Sequence, residues 1–519
     1  MHPIWLAVLF TLAANPIAAA VFHFPAGNPY KPLLLLNGAC ILYFLAARPR
    51  PLGAHPQPNP DRLGPRFLLL LSLAVIAAYL PALTVNLTYH DWTHRHVAAS
   101  LDSWSAIRHL FTARQPDGMY RPLAFLSFWL DFHLFGSALW AYHLQSIGLH
   151  LVDSILAGCL AIRLGFGARI GRLTALLFGL SAIHFEAVLW PAARFDLLAA
   201  LFAAISLLLF LAHWDSAGAK SFFCGLLSLL SYAVAVLNKE SAYSVALLIP
   251  ALVYLYPAWT HKAAPRRKTI PFLIALFLLT AALIALRFAI FGGIGGYHRA
   301  SASFKAVYAL VVNSLSLSVF GINATVVSLA SICILVAWSC LVVLWVLLYR
   351  GAPNRVKIAL AFLALLSAIP ALSVIGWIQP SLLHTRHLYW PSVWIAIFLA
   401  CVFDQTRRRR VVAAAFVIVQ IAALNYNIWV YRDMLHRLDL SVDLVEYSGS
   451  HDAPIAGVPD DPNGVICFIP ELKERLEQRI PGASFRFCAT LAACGASGGT
   501  GPAFQWDAGS RMLAAIPPR

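Results

Sequence analysis

The chain has 519 residues, of which 60% are hydrophobic and only 12% are charged. A soluble core could not enclose that much apolar surface, and apolar runs of about 17–25 residues, long enough to cross a bilayer, recur along the sequence. The formal net charge of +16 would suggest nucleic-acid binding in a soluble protein, but the Lys and Arg residues gather in short linkers between the apolar runs. The composition therefore predicts an all-α, polytopic membrane protein that contacts membrane lipids and no nucleic acid.

The basic linkers predict how the helices are oriented. If the linkers are cytoplasmic, the sequence predicts about thirteen membrane spans, with the N-terminus inside and the C-terminus outside. An N-terminal apolar run without a basic flank is interpreted as a retained helix, and the segment 292–323 must stay on the outer side. The predicted spans are 2–23, 31–47, 67–87, 142–164, 173–190, 195–213, 221–237, 242–257, 271–291, 324–349, 358–375, 391–404 and 411–431.

The first large outer loop, 88–141, contains an amphipathic stretch from Pro122 to Leu139. Asp131 and His133 lie at its middle, which disfavours a membrane span. The pattern therefore predicts a helix lying in the membrane interface.

Clusters of polar residues collect on the predicted outer face. Ionisable groups at membrane depth are costly, so the cluster from His184 to Asp196 predicts a functional site facing a protein interior or a water-filled cavity. The alternative is a short exposed turn between two helices. One outward-facing pocket could include all five motifs, which are YHDWTHRH at 89–96, YRPL at 120–123, HFEAVLWPAARFD at 184–196, NKES at 238–241 and HTRHLYWP at 384–391.

The chain changes character after the last predicted span. Charge, Pro and Gly become more frequent, and GVICFI, PELKERLEQRI and ASFRFC are typical of a strand, a helix and a strand. This predicts a small α/β appendage on the outer side, where Cys467, Cys488 and Cys494 allow one disulfide and one remaining thiol. The predicted regions are an N-terminal helical hairpin with a basic cytoplasmic linker (1–66), a transmembrane domain (67–431) and a small extracytoplasmic region (432–519).

The ordered motifs resemble the GT-C class of membrane glycosyltransferases, closest to the bacterial relatives of protein O-mannosyltransferases. The series runs from an acidic motif in the first outer loop through YRPL, AYHLQSIGLH, LFGLSAIHFEAVLWPAARFDLLAALF and LNKES to RHLYWPS, within residues 67–405. The resemblance implies transfer of a sugar from a polyprenyl-phosphate carrier to an acceptor hydroxyl, on a protein, lipid or glycan. It also implies an inner-membrane (plasma-membrane) location, with the active site facing the periplasm or the cell exterior. Where the class usually has two adjacent acids, this chain has His90-Asp91.

The chemistry of sugar transfer assigns roles to these residues. A carboxylate must take the acceptor proton, and Asp91 is the best-placed candidate for this general base; the alternatives are a helix N-cap or a solvated loop acid. The departing lipid phosphate gathers negative charge, which Lys239, Arg386 and Arg194 could stabilise. The remaining candidates for the substrate pocket are His90, Arg121, His184, Glu186, Asp196, Glu240, His387 and Tyr389.

A metal site is the first assignment that the sequence leaves open. Asp91 lies among three histidines, His90, His94 and His96, which with it could bind a divalent metal. Irregularly spaced histidines in an outer loop are more often only polar. The sequence therefore assigns no metal ligand and no cofactor.

Two further pairings have a structural and a functional interpretation. Glu186 could form a buried bridge with Lys239 or Arg194, or it could contact substrate. His150 and Asp153, one helical turn apart, are explained equally well by packing inside the bundle and by substrate contact.

Two other functions fit a basic polytopic chain. A lipid-linked oligosaccharide flippase or transporter should show internal repeats and polar residues near the bilayer midplane, and the sequence shows no repeat. An O-antigen-type polymerase or ligase would rely on paired Arg residues in a large late outer loop, where this chain offers Arg386 alone. A polyprenyl-phosphate-sugar-dependent glycosyltransferase is therefore the predicted function.

Overall fold

A computed structural model describes residues 62–115, 118–136, 138–260, 265–292, 354–370, 384–404, 409–459, 468–490, 492–494 and 502–516. The predicted spans 2–23, 31–47 and 324–349, together with Cys467 and the side chain of His90, lie outside the described residues. The count of about thirteen spans, which rests on the positive-inside rule, therefore stays a prediction.

The described part of the chain is mostly helical, as the sequence predicts. Short 3₁₀ turns connect several of the helices. The helices are α1 (Pro65–Tyr79), α2 (Tyr89–Ser100), α3 (Trp104–Thr112), α4 (Pro122–Phe135), α5 (Leu139–Ala161), α6 (Gly167–Gly179), α7 (Phe185–Leu189), α8 (Arg194–Asp215), α9 (Gly218–Asn238), α10 (Val245–Thr260), α11 (Arg266–Phe291), α12 (Asn354–Ala368), α13 (Ser392–Asp404), α14 (Arg409–Tyr447) and α15 (Phe468–Arg479). The strands are β1 (Pro454–Ala456), β2 (Arg486–Cys488), β3 (Ala503–Asp507) and β4 (Met512–Ile516).

The apolar helices make this a multi-pass membrane protein. Within the described ranges, six helical segments are long and apolar enough to cross a bilayer: Pro65–Thr84, Leu139–Gly179, Pro191–Asp215, Gly218–Asn238, Arg267–Phe291 and Ala413–Tyr447. Shorter apolar helical segments are Pro122–Phe135, Ile358–Ala368 and Ser392–Asp404.

Small residues bring the central helices close together. The chain turns between α5 and α6 through Ile162–Phe166, where Gly165 has a φ of 93° that suits glycine. Gly158 of α5 faces Gly171 of α6, and a Cβ on either would come within 2.7–2.8 Å of the carbonyl oxygen of the other. Such close backbone approach is how helices without a hydrophobic driving force pack in a membrane. The same central bundle includes α8, which packs against α5 and α9.

The chain between α6 and α8 consists of short buried turns. Since α6 ends at Gly179, the prediction of one span over 173–190 is wrong beyond that residue. The turns are Ala182–His184, α7 and Pro191–Ala193. From residue 184 to residue 196 every residue is buried except the half-buried Trp190. The alternative of an exposed turn is therefore wrong, and the polar motif lies inside the protein.

The helix α4 forms over most of the predicted interfacial stretch. Its middle residue Asp131 is fully buried and pairs with Arg194 of α8. The carboxylate therefore has its cation inside the bundle, and the position of α4 in the membrane interface stays a prediction.

The long helix α14 continues past the predicted boundary at 431 as far as Tyr447. Its C-terminal half contacts α15 and a four-stranded sheet of order β2-β1-β3-β4, in which β1 is parallel to both neighbours and β4 is antiparallel to β3. The backbone N of Leu513 in β4 donates to Ser441 Oγ of α14 at 3.1 Å. The sheet and α15 thus contact a helix that begins in the apolar bundle.

Two details of the C-terminal region differ from or sharpen the prediction. Phe468 and Ile469 begin α15 instead of ending a strand. A disulfide joins Cys488 to Cys494, which fixes the pairing that the sequence left open.

Candidate functional site

Asp91 lies in the first turn of α2 and is buried. Its Oδ2 accepts hydrogen bonds from the backbone N and the Oγ1 of Thr88, both at 2.8 Å, which forms a capping box. Its Oδ1 accepts from the backbone N of Ala192 at 2.5 Å. Burial raises the pKa of Asp91 to about 6, although these hydrogen bonds oppose the rise. Asp91 is therefore the N3 residue of the capping box and not the N-cap or solvated loop acid that the sequence offered as alternatives, and its pKa suits a general base.

Arg194 and Asp131 form a pair that we call the enclosed pair. Both side chains are 0% exposed. Arg194 Nη2 also donates to the carbonyl oxygen of Tyr142 at 3.2 Å, and its guanidinium carbon lies 4.5 Å from the centre of the Phe128 ring. The guanidinium is thus surrounded by protein groups.

Four other cations lie near one another, and we call them the cation cluster: Arg121, Lys239, Arg287 and Arg386. Three of them pair with carboxylates, Arg121 with Glu240, Lys239 with Asp196 and Arg386 with Glu186. The charge of Arg287 helps to lower the pKa of Glu240, so we include Arg287 in the cation cluster. The structure therefore brings together four predicted site motifs, YRPL, HFEAVLWPAARFD, NKES and HTRHLYWP.

Glu186 pairs with a different cation from those that the sequence suggested. It accepts from the Nη1 of Arg386, and from the backbone N of the same residue at 2.9 Å. The prediction of a bridge to Lys239 or Arg194 is therefore wrong.

The Phe195 ring joins the cation cluster to α2. The guanidinium carbon of Arg121 lies 4.3 Å from its centre, and the Nζ of Lys239 lies 5.1 Å from it. The imidazole of His94, one turn after Asp91, lies 6.2 Å from the same centre. Asp91, through Ala192, and two of the cations, through Phe195, thus contact residues at the start of α8.

Burial and like charges shift the pKa values within the cluster. The pKa of Lys239 is lowered to about 8, chiefly by burial and also by Arg121 and Arg386, while Asp196 opposes the change. Burial raises the pKa of Glu240, but Arg121 together with the other cations holds it below its ordinary value. Glu240 thus stays ionised, and Lys239 can lose its proton near neutral pH.

Two histidines lie beside the cations. Burial and the charges of Lys239 and Arg386 keep the pKa of His387 well below its usual value, and the same causes lower that of His384 to about 3. Both imidazoles are therefore neutral at pH 7. His384 has a φ of 68°, which is uncommon for a residue with a side chain and is found at functional sites.

His184 and Tyr389 belong to a buried hydrogen-bond network. His184 Nε2 lies 2.7 Å from Ser392 Oγ. The hydroxyl of Tyr389 donates to Asp153 Oδ2 at 2.9 Å and lies 2.8 Å from His150 Nδ1. His150 and Asp153, which the sequence analysis considered together, therefore both contact the hydroxyl of Tyr389. These polar atoms have hydrogen-bond partners within the protein.

No three His, Cys, Asp or Glu side chains of the described ranges group as metal ligands. His94 lies between the rings of Phe125 and Phe128, with centroid distances of 4.8 and 5.0 Å, and His96 is exposed. Of the histidines that could have bound a metal together with Asp91, His94 therefore packs against aromatic rings and His96 is exposed.

The sequence analysis did not identify Asp131, Phe195 and Arg287 as site residues. Arg287 lies inside the predicted span 271–291, where a single charged residue in a membrane helix is itself a signal of function. Phe195 carries no such signal, because an aromatic residue between two apolar runs is ordinary.

Known proteins similar to this chain include animal mannosyltransferases. The chain is 31% identical to human "Protein O-mannosyl-transferase TMTC2" over 166 residues and 31% identical to mouse "Protein O-mannosyl-transferase TMTC4" over 151 residues. These alignments cover 29% and 24% of this chain, and the chain spans 19% and 20% of the length of these relatives. The chain resembles the GT-C class of membrane glycosyltransferases. The resemblance to this class that the ordered motifs indicate is thus confirmed.

Two solved structures are also similar to this GT-C-like chain. ArnT from Cupriavidus metallidurans bound to undecaprenyl phosphate has a TM-score of 0.47 at 13% identity, covering 85% of this chain and 93% of ArnT. The Archaeoglobus fulgidus oligosaccharyltransferase complex with Zn and sulfate has a TM-score of 0.42 at 12% identity, covering 82% and 62% of the two chains. No protein-family model matches the chain.

Proposed function

We propose that the protein is a glycosyltransferase that moves a sugar from a polyprenyl-phosphate carrier to an acceptor hydroxyl. One observation carries the proposal: the buried carboxylate of Asp91 contacts Ala192, and Arg121 and Lys239 of the cation cluster contact Phe195, three residues further along the chain. A carboxylate can take a proton from a hydroxyl, and grouped cations can hold a phosphate. The match to protein O-mannosyl-transferases supports the same class of reaction.

In the proposed reaction the acceptor oxygen attacks the anomeric carbon of the sugar. The bond from that carbon to the phosphate oxygen breaks, and its electron pair leaves on the lipid phosphate. The hydroxyl proton passes to Asp91, which a pKa of about 6 keeps ionised near neutral pH. Asp91 must turn one oxygen from its present hydrogen bonds towards the acceptor.

The leaving phosphate gains negative charge, which Arg121, Lys239 and Arg386 are placed to stabilise. Guanidinium groups form strong charge-assisted hydrogen bonds to phosphate oxygens, so Arg121 and Arg386 have the chemistry for this role. Arg194 is 0% exposed and bound to Asp131, so we assign it to the architecture of the bundle.

The proposed base is tested by replacing Asp91 with Asn. The amide keeps the size and can accept from Thr88, but it cannot take a proton, so transfer should fall by at least about 10². The measurement is transfer of radiolabelled mannose from a polyprenyl-phosphate mannose by purified protein, beside donor binding. Asp102→Asn is the matched control, because this acid lies in the same loop and is exposed. Full activity of Asp91→Asn would contradict the assignment and point to Glu186 or Asp196.

We further propose that the site faces the periplasm or the cell exterior from the inner membrane. The basic linkers support this orientation. The disulfide between Cys488 and Cys494 also supports it, because disulfides persist in oxidising compartments. Reporter domains fused after residues 60, 265 and 408 should behave as cytoplasmic, and those fused after 115, 300 and 450 as external. A cytoplasmic reporter at 450 would overturn the orientation.

A further inference from the structure

Arg475 of α15 links the C-terminal region to the start of α2. Its Nη2 donates to the carbonyl oxygen of Leu87 at 3.3 Å, one residue before Thr88, the N-cap of α2. Its Nη1 pairs with Asp439 of α14. One guanidinium therefore holds three parts of the protein together, with 17% of its side chain exposed.

Among the described residues, few side chains from other elements hydrogen-bond to residues 85–88, the segment that leads to Asp91. The carbonyl oxygen of Val85 lies 3.0 Å from the Nε2 of His143 in α5. The carbonyl oxygen of Leu87 binds Arg475, and both Val85 and Leu87 are buried. The two hydrogen bonds come from different regions, because His143 belongs to α5 and Arg475 to the C-terminal region.

The face of α15 that carries Arg475 is directed towards the candidate site. Glu471, one turn earlier, is 5% exposed. The charges of Asp91, Glu471 and Arg475 all act on the hydroxyl of Tyr431 in α14. The ring of Tyr431 lies 5.7 Å from that of Phe185, beside the buried turns. The C-terminal helix thus borders the same part of the protein as Asp91.

We propose that Arg475 is a positioning residue for Asp91, so that the C-terminal region completes the active site. The inference rests on the proposed function, in which Asp91 takes the acceptor proton. When the contact to Leu87 is lost, residues 85–88 gain freedom, and the hydrogen bonds from Thr88 hold the carboxylate less firmly. A catalytic group that is displaced by even about 1 Å loses much of its rate advantage, since effective catalysis needs fixed geometry.

The test compares Arg475→Ala with Arg479→Ala. Arg479 lies one turn later on α15 and pairs with Asp443 and Glu446 of α14, with 52% of its side chain exposed. Arg475→Ala should lower kcat about 10- to 100-fold and leave the KM for polyprenyl-phosphate mannose within about 3-fold, as expected when only transition-state geometry is lost. Arg479→Ala should stay within about 3-fold in both quantities, because exposed ion pairs contribute little.

The pH profile separates positioning from a general loss of stability. The hydrogen bonds from Thr88 lower the pKa of Asp91, so loosening them should move the acid limb of the kcat profile to higher pH. Arg475→Lys should recover part of the rate, because an ammonium can still pair with Asp439 but does not offer the planar fork that reaches two acceptors. Equal kcat and equal pH limbs in the Arg475→Ala and Arg479→Ala proteins would overturn the inference.

Hydrogen exchange provides a readout that needs no activity. Backbone amides of residues 85–100 should exchange faster in Arg475→Ala than in the parent, and at the parental rate in Arg479→Ala. If the parent transfers no sugar while exchange still differs, the proposed function fails and the positioning contact stands. If exchange is unchanged in Arg475→Ala, the inference fails. Should Arg475→Ala not purify, Asp439→Asn removes one of the two contacts of Arg475 and is expected to give a smaller change in the same direction.

Discussion

Residues 194–196 contribute Arg194 to the enclosed pair and Asp196 to an ion pair of the cation cluster, and the two pairs have opposite surroundings. Arg194 faces one acid, Asp131, and both are 0% exposed. Two residues later, Asp196 pairs with Lys239, which lies among other cations, and the pKa of Lys239 is lowered to about 8. A closed pair of one cation and one acid organises a fold, whereas grouped like charges cost stability and are kept where a ligand needs them. Proximity within a motif therefore does not assign a common role.

The largest expected effect is on stability, at the enclosed pair. Arg194→Met leaves Asp131 buried without its cation and should cost about 3–5 kcal/mol, seen as a lower unfolding temperature in detergent. The double variant Arg194→Met/Asp131→Leu replaces both charges by apolar groups and should recover most of that stability. It should also keep transfer activity, because the proposed mechanism uses Asp91 and the cation cluster and not this pair. An active, stable Arg194→Met protein would contradict the assignment of this pair to architecture.

The next effect is on donor binding, at the cation cluster. Lys239→Met/Asp196→Leu is matched to the previous double variant, because it also removes one buried cation and its acid. It should fold, yet its affinity for a polyprenyl-phosphate sugar should fall about 10- to 100-fold, the value of a charge-assisted hydrogen bond of roughly 1.5–3 kcal/mol. Binding is measured with the donor lipid in detergent. If the two double variants bind donor equally well, the distinction between the two sets of charges is wrong.

The sequence identified most of the charged residues of both sets, without Asp131 and Arg287, but not how they pair. Lys239 and Asp196 are 43 residues apart, and Arg386 and Glu186 are 200 apart. Periodicity describes one helix at a time, so it identifies polar positions and gives no information on which helix supplies the partner. The buried motif around Glu186 was predictable because ionisable residues between apolar runs are costly in a bilayer and usually face a protein interior.

The predicted boundary at 431 illustrates the same limit. The apolar run ends there, and hydropathy therefore ends the predicted span. The helix α14 continues to Tyr447 because its polar residues have partners in the C-terminal region, among them Asp439 with Arg475 and Asp443 with Arg479. Tertiary contacts extend a helix in a way that a local pattern does not record.

The smallest expected effect is on the pH dependence of kcat/KM. The two limbs of this profile distinguish the proposed base from the cation that is proposed to bind the phosphate. Burial raises the pKa of Asp91 to about 6, and the base acts in its ionised form, so activity should rise as the pH passes about 6. Burial lowers the pKa of Lys239 to about 8, and the phosphate needs the protonated amine, so activity should fall as the pH passes about 8. The profile should be bell-shaped, with its maximum near pH 7.

The Lys239→Arg variant tests whether the titration of Lys239 causes the upper limb of that profile. A guanidinium stays charged to a pH above about 12, so this variant should keep the limb near pH 6 and lose the limb near pH 8, with a lower maximum because an arginine does not reproduce the geometry of a lysine. Arg194→Met/Asp131→Leu should keep both limbs, since the enclosed pair does not take part in binding or proton transfer. An upper limb that persists in Lys239→Arg would show that another group titrates there, and the role of Lys239 would then be limited to its pair with Asp196.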